Sequence, residues 1–173
     1  MKTEALEVLK NRRAIRKYKA EQITEEELNA VLEAGTFAPT GGGTQAVKIV
    51  AVQTPEYRKR VAALNAAVMG KDIDPYYGAP TVILIFETSD GRTPGFDGPA
   101  VATNIVNAAY AAGLGSCWIH RCRQMFEMDE GKALLKEWGL PEDLKGSCSV
   151  ALGYADCEQP VPKPRKEDYI VRV

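Results

Sequence analysis

Basic residues suited to holding a phosphate stand near both ends of the sequence. Arg12-Arg13-Ala14-Ile15-Arg16 places three guanidinium groups within five residues, and Lys163-Pro164-Arg165 places two more cations on a proline-stiffened tail. A guanidinium is a planar fork that donates two parallel hydrogen bonds to phosphate oxygens, and an ammonium adds a compact point charge. Each cluster also has an ordinary explanation. The first could be cations at a helix C-terminus, favoured by the macrodipole, and the second a solvated basic tail. Between them lies Gly41-Gly42-Gly43, with Gln45 directly before an apolar run. Such a glycine run is either a flexible loop or a place where backbone must come against a flat ligand. Gln45 could then present its amide to the edge of a heterocycle.

Other chemistries lack their residues. No GxGxxG follows a strand and no GxxxxGK[ST] occurs, so neither a dinucleotide-binding fingerprint nor a phosphate-binding loop is supported. The single histidine, His120, leaves no basis for a histidine-rich metal site, and no metal is expected. Cys117, Cys122, Cys148 and Cys157 show neither CxxC spacing nor a disulfide-dense pattern, and read as reduced thiols of a cytoplasmic protein. A net charge of −1 gives no global attraction to nucleic acid or to an anionic membrane. No apolar run reaches the roughly 20 residues of a membrane span, and the charged start has no signal-peptide character.

The elements that must position these residues can be read from periodicity and stop signals. Thr3 precedes a short helical pattern (Leu6, Leu9) that gives way at Asn11. Thr24 and Glu27 have capping-box spacing, opening a helix that is expected to stop at Gly35. VKIVAV (47–52) reads as a strand, and Thr54-Pro55 as an N-cap with proline in the first turn of a helix running to Gly70. TVILIF (81–86) is the strongest strand, apolar enough to be buried on both faces. After a loop (89–98) come an alanine-rich helix over 99–112, a short strand over 116–120, a helix over 129–138 and a strand over 147–154. Helices and strands without a strict βαβ rhythm predict one α+β domain over residues 1–173, with a mostly antiparallel sheet of about four strands flanked by helices. The β-prone terminus Tyr169–Val173 follows a proline spacer, and is expected to reach a sheet edge of its own or a partner subunit.

Four motifs in series carry a resemblance. RRAIRKY (12–18) resembles the RRS-x-R opening of the nitroreductase family of FMN enzymes, and APTGGGTQ (38–45) its APS-x-x-N-x-Q turn. GLGSCWI (113–119) is similar to its GLGTCW strand entry, and LGY (152–154) with PKPRK (162–166) to its LGYP…KPRKP ending. The resemblance implies a homodimer with FMN at the subunit interface. By position it makes Arg12, Arg13, Arg16 and Arg165 ligands on the phosphate and ribityl side, with Lys163 as a companion. It makes Gln45 a contact to the isoalloxazine edge, Asn65 a contact on the pyrimidine side, and Ser116, Cys117 and Trp118 residues lining the flavin. His120 and Arg121 follow immediately and are expected to face the phosphate. Ala14 stands where the family has serine, and Gly43 where it has asparagine, which alters the hydrogen bonds available at the flavin edge.

The activity so implied is passage of hydride from NADH or NADPH through FMN to an electron-poor acceptor such as a nitroaromatic or quinone, by a ping-pong mechanism. No catalytic side chain is identified, because the cofactor carries the chemistry. A dehalogenase or ene-reductase relative, a non-catalytic flavin-binding protein and a plain interaction domain are the alternatives.

Overall fold

The run TVILIF lies within β2 (Thr81–Glu87), where every residue is buried. Burial on both faces removes the usual polar alternation, and β-branched residues fit a pleated, covered surface. Both neighbours of β2 are antiparallel. On one side is β1 (Val47–Val52), with Val47 opposite Glu87; on the other is β4 (Lys145–Gly153), with Thr81 opposite Leu152. Strand β3 (Gly115–Ile119) pairs antiparallel with β4, giving the order β1-β2-β4-β3. The edges of the sheet are therefore β1 and β3, roughly 14 Å apart at the usual strand spacing. The chain, a computed structural model describing residues 4–173, is an α+β fold; Thr3, the expected first cap, lies outside the described residues.

Alternate residues of β2 serve different cores, as the strand period dictates. Val82, Leu84 and Phe86 pack with Val61 and Leu64 of α3 (Pro55–Met69), and with α5 (Cys122–Glu127) and α6 (Asp129–Glu137). Ile83 and Ile85 pack with α2 (Glu25–Thr36) and with Ala102, Ile105 and Ala109 of α4 (Asp97–Ala111). Helix α1 (Glu4–Asn11) ends where the arginine cluster begins.

Several element ends follow their local chemistry. The capping box forms: Glu27 N donates to Thr24 Oγ1 at 3.2 Å, and Thr24 N donates to Glu27 Oε2 at 2.8 Å. Gly35 does not stop α2 as expected; it lies inside the last turn, where a Cβ would sit 2.8 Å from Ile105 Cγ1, so its role is close packing on α4. Pro55 occupies the first turn of α3 and Gly70 closes it at φ 66°, but the Thr54 side chain makes no cap bond. Helix α4 starts at Asp97, earlier than the sequence suggests, and the short α5 carries too few residues for a periodicity.

The tail beyond Gly153 contains no strand, only a 3₁₀ turn at Glu167–Tyr169. Val161, Tyr169, Ile170, Val171 and Val173 are all exposed. The terminus thus does not pair with its own sheet.

Candidate functional site

The chain leaves α1 through Arg12, whose N–H still bonds Val8 O, and then runs extended beside β3. Ala14 bridges Ser116, and Ile15 N donates to Ser116 O at 2.9 Å. Gly115 permits this approach: a Cβ there would lie 3.1 Å from Ile15 Cγ2. Farther on, Tyr18 bridges Ala155, and its hydroxyl donates to Ile15 O at 2.8 Å. The arginine segment is therefore strapped along the β3 edge.

The two ends of the sequence meet here. Arg12, Arg13 and Ala14 from one end, with Pro162 and Arg165 from the other, line a cavity of about 580 Å³. Gln159 Nε2 donates to Asn11 O at 2.6 Å, which fixes the start of the tail to the end of α1. Arg13 Nη1 donates to Lys10 O at 2.8 Å and Arg12 O at 2.6 Å, so part of its fork caps helix carbonyls, as the ordinary reading anticipates. Its Nε is buried with no partner. Burial, then the like charge of Arg13, lowers the pKa of Arg12. Both effects disfavour the cation, and the attraction of a bound anion would offset them. Arg165 Nη2 donates to Lys163 O at 3.0 Å; Lys163 itself does not line the cavity.

Along β3, Ser116 and Cys117 are buried, and burial pushes the Cys117 thiol pKa up, opposed by the nearby Arg16 and Arg12. Trp118 points outward and is stacked on His120, with ring centroids 6.2 Å apart and an interplanar angle of 14°. Asn65, fully buried on α3, accepts from Arg121 Nε at 2.6 Å through Oδ1, while its side chain also interacts with the Tyr76 hydroxyl without Nδ2 reaching full hydrogen-bond geometry. Arg121 is thus tied to Asn65 and takes no part in lining the basic cavity, contrary to its expected direction.

Gly43 and Gln45 lie elsewhere. Gly41–Gly43 form a 3₁₀ turn leading into β1, with Gly42 at φ 64° and Gly43 at φ 68°. A Cβ on Gly43 would meet nothing within 4 Å, so backbone conformation rather than crowding favours glycine there. Gln45 holds a left-handed conformation at φ 54°, an arrangement that costs a non-glycine residue energy and clusters at functional sites. The turn is anchored by Gly41 N donating to Asp97 Oδ1 at 3.1 Å and Gln45 N donating to Thr40 Oγ1 at 3.0 Å. The anticipated residues therefore fall into two groups at opposite edges of the sheet: Arg12, Arg13, Ala14, Arg16, Ser116, Cys117 and Trp118 at the β3 edge, with Asn65, Lys163 and Arg165 on that side, and Gly43 with Gln45 at the β1 edge.

A larger cleft of about 680 Å³ lies between α3 and the segment 72–80 and contains none of the anticipated residues. Its Arg58 is engaged by Asp74 at 2.6 Å and by Ala79 O at 2.8 Å. The sequence reading did not foresee the Asn65–Arg121 pair or the Gln159 tether. Neither has a local signature, since each joins residues far apart in the chain.

Known proteins share both sequence and architecture with this chain. The profile of the Nitroreductase family matches residues 9–75 and 74–154. A nitroreductase of Bacteroides fragilis, solved with bound FMN, superposes with a TM-score of 0.88 at 30% identity, over 99% of this chain and 100% of that one. A nitroreductase of Desulfitobacterium hafniense with bound FMN gives 0.88 at 26% identity, covering 100% of both chains. An NADPH-dependent oxidoreductase of Staphylococcus saprophyticus is 26% identical over 175 residues, taking in 91% of this chain and 68% of that protein.

Proposed function

The chain belongs to the nitroreductase family, and on that premise we propose that it works as one domain of an FMN-dependent homodimeric oxidoreductase, passing reducing equivalents from NAD(P)H to an electron-poor acceptor in two successive visits. The observation that carries the proposal is the cavity in which Arg12 and Arg13 meet Arg165 from the opposite end of the chain.

The residues fit the cofactor at three points. The cavity is lined by guanidinium groups, one of them held partly buried against a like charge, as a phosphate site requires. The Asn65 amide lies against the Tyr76 hydroxyl, but its Nδ2 makes no hydrogen bond of full geometry, leaving a donor suited to a pyrimidine oxygen. The β3 edge offers an exposed aromatic surface at Trp118 and His120. In this reading Arg12, Arg13 and Arg165 hold the phosphate with Lys163 nearby, and Arg16, Ser116, Cys117 and Trp118 border the ring system. FMN held by these residues would supply the two-electron chemistry that links the reduced nicotinamide to the acceptor. Arg16 and Arg121 supply positive charge that favours electron-rich states at this edge, and Asn65 holds Arg121 in place. The acceptor's proton comes from solvent.

In this reading Gly43 and Gln45, at the opposite sheet edge, join the site from a second copy of the chain. Their separation from the arginine cluster supports a dimeric, composite site, with the exposed tail reaching the partner.

Purified protein is expected to be yellow, to bleach anaerobically with NADPH or NADH, and to regain colour on addition of a quinone. A colourless protein that fails to take up added FMN overturns the proposal. A yellow protein that neither reductant bleaches is a flavin carrier rather than an oxidoreductase.

A further inference from the structure

The loop joining β2 to α4 is short, yet it packs directly on the glycine turn. A Cβ on Gly91 would stand 3.2 Å from Ala46 Cβ, and a Cβ on Gly42 would stand 2.9 Å from Arg92 Nη1 and 3.0 Å from Arg92 Cδ. The guanidinium of Arg92 therefore lies against the backbone of the turn, where any side chain at position 42 would displace it.

Three carboxylates belong to this loop and its ends, and each already has partners. Glu87 accepts from Gly95 N, Gly98 N and Ser147 Oγ. Asp90 accepts from Thr88 Oγ1, and Asp97 from Gly41 N and Thr93 Oγ1. Arg92 makes no ion pair or hydrogen bond among the described residues. On the same turn, Thr44 Oγ1 is buried without a partner. The aromatic rings of Phe37 and Phe96, the residues flanking the turn and its anchor Asp97, are each 75% exposed. An unneutralised guanidinium, an unpaired hydroxyl and exposed aromatic rings around a bare glycine backbone suit a ligand that is both aromatic and anionic.

We propose that Arg92 recognises the phosphate oxygens of the nicotinamide nucleotide reductant, reaching across the dimer with the glycine turn that carries it. This rests on the flavin-site reading above. Arg92 is a specificity residue: it bears on binding of the reductant and leaves the bound flavin untouched.

The test compares Arg92→Ala and Arg92→Lys with wild type and with Arg123→Ala, which removes an exposed arginine of α5 paired with Glu127. Arg92→Ala is expected to carry the wild-type content of FMN, and to raise the KM for the nucleotide by about tenfold, the effect of one charge-assisted contact. KM for a neutral quinone stays at the wild-type value, Arg92→Lys recovers most of the loss, and Arg123→Ala behaves as wild type. Binding of NADP⁺ by equilibrium dialysis, without turnover, weakens in parallel. A loss shared by NADH and NADPH assigns the contact to the pyrophosphate; a loss confined to NADPH assigns it to the 2′-phosphate. Flavin-loaded Arg92→Ala with unchanged KM for both nucleotides, or with an equal loss for the neutral quinone, overturns the inference alone. Wild-type protein that takes up no flavin overturns the underlying reading, and the inference with it.

Discussion

A partly buried guanidinium beside a second one is a costly arrangement unless an anion sits between them. Arg12 is in that position, with its pKa lowered by burial and then by Arg13, and the cavity it lines is completed by Arg165. Arg12→Ala and Arg165→Ala are each expected to weaken FMN binding, by about 1.5–3 kcal/mol for a charge-assisted contact, with exposed Arg165 at the lower end. Unfolding of the apoprotein changes little in either variant. Fluorescence titration of FMN, with thermal unfolding of the same samples, checks both statements; unchanged affinity in both variants contradicts the two-ended phosphate site. Residue types made this cluster legible, because arginine runs and a proline-held basic tail are visible in the chain itself. Asn65 was singled out only through the family resemblance, since nothing in its own surroundings marks it. Its pairing was not legible: Arg121 lies 56 residues away and meets Asn65 only after α3 and the end of β3 come together.

Elements show the same division between local and long-range signals. The capping box of α2 and the buried run of β2 could be read directly, since spacing and composition determine them. Helix α5 could not, being six residues long. The segment after α3 is held by a device that sequence alone does not display. Asp74 accepts from Tyr76 N and Gly78 N at 2.9 Å and pairs with Arg58 at 2.6 Å, which fixes Tyr76 in the core against Ser149. Burial works to raise the Asp74 pKa, but Arg58 and the two backbone donors outweigh it, leaving the carboxyl below its ordinary 3.8. A pKa depressed on folding contributes stability that is present above the unfolded value and is lost as pH falls through the folded one. Asp74→Asn should therefore destabilise at pH 7 by about 1 kcal/mol, allowing for screening of a carboxylate 36% exposed. Near pH 2 the variant and wild type should converge. Urea unfolding at the two pH values measures the difference; an equal gap at both contradicts the role assigned to Asp74.

The whole molecule is organised by its sheet edges. β3 carries the arginine segment, β1 follows the glycine turn, and two strands keep them apart. The tail that follows β4 is exposed along most of its length, and it leaves the apolar side chains of Val161, Tyr169, Ile170, Val171 and Val173 in water. Sequence patterning led to the expectation that this tail reaches a sheet edge; it pairs with none in its own chain, and β-propensity alone names no partner strand.

Opposite edges have a genetic consequence. If each site takes its basic half from one chain and its glycine turn from the other, two different defects need not add within a mixed dimer. Pairing an Arg12→Ala chain with an Arg92→Ala chain leaves one site with both lesions and one with none. Co-expressed and purified as the heterodimer through two different tags, such a pair should regain about half of the wild-type reductant turnover, while each parent homodimer stays impaired when nucleotide and FMN are limiting. Sites confined to single chains would show no such rescue.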